Sequence, residues 1–137
     1  MPVTIIYTDE PYGVIGVFTG NVTGEDIVAF NNEVAGCKEC KYQLTDYRAA
    51  NSIQVTPKEL HKIAIQDASI PQDYEISKMA MVGDTEKYSD QIKTYFLFLD
   101  HWIGKRRDFE SKAFSSMDEA CEWLGLPPDS DLTIPRI

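Results

Sequence analysis

Positive charge is scarce in this sequence. Its 137 residues hold 13 Lys and Arg against 22 Asp and Glu, a formal charge of −9. Nucleic-acid backbones and anionic membrane surfaces have to be met by clustered Lys and Arg, so no nucleic-acid partner is expected. The basic run Lys105-Arg106-Arg107 stands where a helix is expected to end, and there it complements the negative end of the helix dipole. Long apolar runs are missing too. Nothing approaches the length of a membrane span, and Met1-Pro2-Val3-Thr4-Ile5 has neither the basic region nor the cleavage site of an export signal. A cytoplasmic protein with no membrane insertion is therefore expected. Histidine is limited to His61 and His101, and neither has a Ser, Cys or carboxylate partner at triad spacing. Gly13 to Gly20 lack the spacing of a dinucleotide-binding loop, and no glycine-rich phosphate loop exists.

Cysteine is limited to three residues, in a chain long enough to bury a core without disulfides or metal. Cys37-x-x-Cys40 follows an expected helix and precedes an expected strand, so it lacks the helix N-terminal field that activates thioredoxin-like pairs. Zinc would need two further ligands, and Cys121, His61 and His101 lie on three different expected helices. Reduced thiols are expected, with no metal and no cofactor.

What is present reads as one α/β domain with an ordinary balance of 43% hydrophobic and 26% charged residues. Val3 to Thr8 and Val14 to Thr19, separated by Asp9-Glu10-Pro11-Tyr12-Gly13, form an antiparallel hairpin. Gly16 in mid-strand suggests a bulge or a close backbone approach. Thr23 caps a first helix carrying Ile27, Phe30 and Val34 at helical spacing and stopped by Gly36. Tyr42 to Tyr47 is a strand, 48–55 a polar loop, and Thr56-Pro57-Lys58-Glu59 the strongest helix start in the chain. Leu60, Ile63 and Ala64 form the buried stripe of that second helix, which should fray near Asp67, a charge on the same face. Met79-Ala80-Met81-Val82 fits a strand covered on both faces.

A third helix runs roughly from Thr85 to Ile103. Tyr88, Ile92, Tyr95, Phe96, Leu99, Trp102 and Ile103 form its apolar stripe, with Leu97, Phe98 and His101 off it. A short edge strand follows at about Arg106 to Glu110, and a last helix, capped at Ser115-Ser116, carries Ala120, Cys121, Trp123 and Leu124 and ends at Gly125. The order β-β-α-β-α-β-α-β-α implies about five mostly parallel strands. The domain spans 1–126, with a Pro-containing tail over 127–137.

Three phrases stand out in this order: Gly20-Asn21-Val22-Thr23-Gly24-Glu25-Asp26, Leu44-Thr45-Asp46-Tyr47-Arg48 and Asp118-Glu119-Ala120-Cys121-Glu122-Trp123-Leu124-Gly125. Together they resemble the bacterial STAS-like, or SpoIIAA-like, proteins, relatives of the anti-sigma-factor antagonists. The resemblance covers roughly 1–126. It implies strands in nearly sequential order, regulation through protein contacts or small-ligand sensing, and no enzymatic chemistry. The antagonists carry a phosphorylatable Ser, flanked by Asp and Gly, in the loop after the third strand. Here that loop reads Arg48-Ala49-Ala50-Asn51-Ser52-Ile53-Gln54-Val55-Thr56, without the adjacent Asp or the Gly.

The expected working surface is this strand-end corner. Asp46, Arg48, Asn51, Ser52 and Thr56 stand as the partner- or ligand-binding residues. Asp46 and Arg48 either orient a ligand or simply fix the turn as an ion pair. Ser52 and Thr56 are sites for a phosphate, against the plainer roles of loop hydroxyl and helix cap. Leu97, Phe98 and His101 form a surface to be covered by the tail (Leu132, Ile134, Ile137) or by a second subunit, making a homodimer. The expected function is a non-enzymatic regulatory module binding a protein partner through 48–56. The alternative is a carrier or sensor of a small apolar, lipid-like ligand held between the third helix and the sheet.

Overall fold

The computed structural model describes residues 2–103 and 109–128. Five strands form one sheet in sequential order: β1 (Val3–Asp9), β2 (Tyr12–Thr23), β3 (Tyr42–Gln54), β4 (Lys78–Val82) and β5 (Glu110–Phe114). β1 and β2 are antiparallel and the remaining pairs parallel. Helices α1 (Gly24–Val34), α2 (Pro57–Ala68) and α3 (Ser89–Ile103) link successive parallel strands, and α4 (Met117–Leu124) follows β5. This is the expected α/β architecture.

Strand alternation sorts the core into two layers. Val14, Phe18, Val22 and Met79 point to one side and pack with Phe30 of α1, Leu60 and Ile63 of α2, and Tyr95 and Leu99 of α3. Ile6, Ile15, Leu44, Ala80 and Val82 point to the other, under Ala120, Cys121 and Leu124 of α4. Each largely buried aliphatic or aromatic side chain contributes about 1.5–3 kcal/mol. Gly16 is the close approach its position suggested: a Cβ there would lie 2.5 Å from the Phe30 ring.

The helix starts agree with the capping signals. Thr23 and Asp26, and Thr56 and Glu59, each form a reciprocal capping box, and Ser116 caps α4. Pro57 occupies the first turn of α2.

Five local expectations change. The stretch 48–55 is not a polar loop, because β3 continues to Gln54, paired with an equally prolonged β2 through Thr19↔Ala49, Asn21↔Ser52 and Thr23↔Gln54. Shifts of register between Val17 and Thr19 and between Gly20 and Asn21 allow that pairing. The second helix does not fray at Asp67; it runs to Ala68 with Asp67 buried. The third helix begins at Ser89, after a turn over 85–88, and the edge strand lies at Glu110–Phe114. Finally, Cys37 and Cys40 are joined in a disulfide rather than reduced, while Cys121 is a buried thiol. The basic run 105–107 and the tail residues Leu132, Ile134 and Ile137 lie outside the described residues. Among those described, no helix is long and apolar enough to cross a membrane, and no cluster of His, Cys, Asp or Glu fits a metal.

Candidate functional site

At the end of β3, Asp46 is 5% exposed and receives three hydrogen bonds from Arg48. The backbone N–H and Nε both donate to Oδ1 at 3.0 Å, and Nη2 donates to Oδ2 at 2.9 Å. A carboxylate engaged this fully holds the chain locally and has little capacity left for a ligand. Farther along, the Ser52 hydroxyl donates to Asn21 Oδ1 at 3.0 Å across the paired strands, and Asn51 is exposed.

Thr56 Oγ1 accepts from Glu59 N at 3.2 Å, and the Thr56 N–H donates to Glu59 Oε1 at 2.9 Å. A phosphate on Thr56 would break that box and face the Glu59 carboxylate, so the geometry favours the capping role. The starts of α1 and α2 also touch: a Cβ on Gly24 would lie 2.5 Å from the Glu59 carboxyl carbon. Between these helix starts and the strand ends is a shallow hollow lined by Thr23, Glu25, Gln54, Val55 and Thr56.

The hollow shares Ile53, Val55 and Gln91 with a deeper feature, an apolar cleft between the sheet and helices α2 and α3. The cleft has a volume of about 120 Å³. Its inner wall is buried Leu60, Ile63 and Met79, and its part-exposed side is Ile53, Val55, Tyr88 and Gln91. Polar atoms are few. Asp67 reaches it from α2, and the Tyr95 hydroxyl of α3 is 2.5 Å from Asp67 Oδ2. Burial pushes the Asp67 carboxyl up to about 7, against the opposing hydrogen bond from Tyr95. Burial likewise raises the Tyr47 hydroxyl above the usual phenol range, countered by a hydrogen bond with Thr45. Close to neutrality the cleft therefore presents a carboxyl that is both donor and acceptor within an otherwise apolar lining.

The third group is on the outer side of α3. Leu97 is 72% exposed and His101 is exposed, whereas Phe98 is half-buried against the main core, its ring 4.9 Å from that of His61. Trp102, expected in the buried stripe, is 48% exposed, and its Nε1–H donates to His61 Nε2 at 2.7 Å. The expectation for Phe98 is corrected because α3 lies against both α2 and the sheet, which gives it a wider buried face than one stripe.

The structure thus spreads Asn51, Ser52 and Thr56 along the end of β3 and the cap of α2, and gives Asp46 and Arg48 to each other. Asp67, Tyr95 and Tyr47 were missed as site residues. The signal for Asp67 was available: a charge on the buried stripe of a well-capped helix needs a partner.

No protein-family model matches the sequence, and no curated protein matches it. Among solved structures, an uncharacterised protein of the DUF3478 family with a SpoIIAA-like fold, from Shewanella loihica PV-4, matches with a TM-score of 0.51. The two are 17% identical, over 89% of this chain and 91% of that one. With the sequential five-stranded sheet and its four helices, the chain has the SpoIIAA-like fold.

Proposed function

We propose that this domain is a non-enzymatic ligand-binding or sensing module that takes a compact apolar molecule in the cleft between α3, α2 and the sheet. The observation that carries this reading is a nearly all-apolar cleft whose one buried acid, Asp67, is held by Tyr95. Its volume approaches the ~150 Å³ of an apolar cavity that accepts a benzene ring. An aromatic ring or short hydrocarbon chain with a single hydroxyl or carboxyl fits it, the polar group meeting Asp67 and Tyr95. The fold puts this cleft beside the C-terminal ends of parallel strands, where α/β sheets bind ligands. Native mass spectrometry of the gently purified chain, followed by addition of phenol and of short-chain alcohols, tests the reading. The expected result is a one-to-one complex that weakens at least tenfold in Val55→Trp, which fills the lining. Equal binding by wild type and variant would contradict it.

A second reading concerns the rim. Gln54 and Thr56 are exposed and line the hollow that adjoins the cleft, so a protein partner touching residues 48–56 would be placed to respond to occupancy. Replacing Asn51 and Ser52 with bulky residues should weaken capture of such a partner without changing the ligand complex.

A further inference from the structure

The loop joining α1 to β3 closes a second cavity, of about 230 Å³, lined by Cys37, Cys40, Ile70, Pro71 and Tyr74. This cavity and the ligand cleft share Asn31, Gln43 and Asp67, so the wall behind Asp67 is the disulfide loop and the α2–β4 connection. The two segments are tied together. Glu75 N and Ser77 N donate to the carbonyls of Lys38 and Lys41, each at 2.9 Å, and Lys38 pairs with Asp73 at 3.1 Å. Lys41 also pairs with Glu75, and its N–H donates to the Tyr12 carbonyl at 2.8 Å. The Lys38 ties leave from inside the turn that the disulfide pins, and the Lys41 ties from the residue that follows it.

We infer that Cys37 and Cys40 are a reversible redox latch that gates ligand affinity in the cleft by holding the wall behind Asp67. Cys37 is part-exposed and Cys40 is 3% exposed, so one sulfur can be approached while the other is sheltered. Cys121 is buried in the opposite layer, on the sheet-facing side of α4. The co-reactant is a dithiol reductant. Its thiolate attacks Cys37 Sγ, and Cys40 leaves and takes a proton. The reductant's second thiol then resolves the mixed disulfide, freeing Cys37 to take another proton. One S–S bond becomes two S–H groups as the reductant closes to its own disulfide. The pair follows α1 rather than opening a helix, so no N-terminal field stabilises a thiolate, and the chemistry suits a slow latch rather than a catalyst of thiol exchange.

The gating claim rests on the cleft reading above, so the test separates the two. Full-length protein, prepared without reductant, is denatured and treated with N-ethylmaleimide before and after a dithiol. One adduct and then three are expected, and three at the outset would overturn the latch. Hydrogen exchange is then compared for oxidised and reduced native protein, with Cys37→Ser/Cys40→Ser as a permanently open form. Exchange over 35–41 and 69–77 should rise roughly tenfold in both open forms, and phenol affinity should change at least threefold. Unchanged exchange, or loosened exchange with equal phenol affinity, overturns the proposal. Absence of phenol binding in every form would sink the cleft reading, while the exchange data would still support the latch on the loop.

Discussion

A carboxyl group buried beside a tyrosine hydroxyl ties stability to pH. The folded-state value for Asp67 is pushed up to about 7 from an ordinary 3.8, so the native state holds a proton the unfolded chain has already released. Stability from this group is therefore greatest below pH 4, declines between pH 4 and 7 with a slope of at most about 1.4 kcal/mol per pH unit, and levels off above. Asp67→Asn removes the charge and keeps an oxygen for Tyr95. It should flatten that part of the pH profile and raise the thermal midpoint at pH 8 by roughly 5 °C, read by circular dichroism; the same slope in both proteins would refute the assignment. Gly16→Ala tests packing at the same scale. With Phe30 2.5 Å from the added methyl group, urea unfolding should show a loss of about 1–3 kcal/mol. Thr56 as a cap was legible because it is written in four consecutive residues. The Asp67–Tyr95 contact was not, because its partners are 28 residues apart and no local pattern links them.

Secondary-structure elements differ in how far their ends could be read. The starts of α1, α2 and α4 followed from caps, whose chemistry is local. The far half of β3 did not. Ala49-Ala50-Asn51-Ser52 lacks β-branched residues and alternation, and the opposing Gly20-Asn21 reads as turn chemistry, so each segment takes its extended form from pairing with the other. Hydrogen exchange should accordingly show protected amides within 49–54, at rates far below those of the exposed connection 71–73; rapid exchange across the stretch would restore the loop. The stripe of α3 was legible in Tyr95 and Leu99. Phe98 and Trp102 were not, since their environment depends on how α2 lies alongside.

At the scale of the molecule, the order of hydrophobic segments carried the α/β class and the sequential sheet, because each strand pairs with the one before it. The cleft could not be read that way, being a space left where side chains of α2, α3 and the sheet fail to meet. Leu97 and His101 lie on the outer side of α3, which we propose as a surface for self-association. Leu97→Asp should shift sedimentation toward monomer with a stability change within about 0.5 kcal/mol, whereas a wild type that is monomeric at all concentrations would remove the idea. The central claim is occupancy of the cleft. Its most direct measurement is the set of intermolecular nuclear Overhauser effects between the ring protons of bound phenol and the isotopically labelled protein. Contacts to the methyl groups of Val55, Met81 and Ile92 are predicted; contacts confined to the outer side of α3, or none at saturation, would contradict the account.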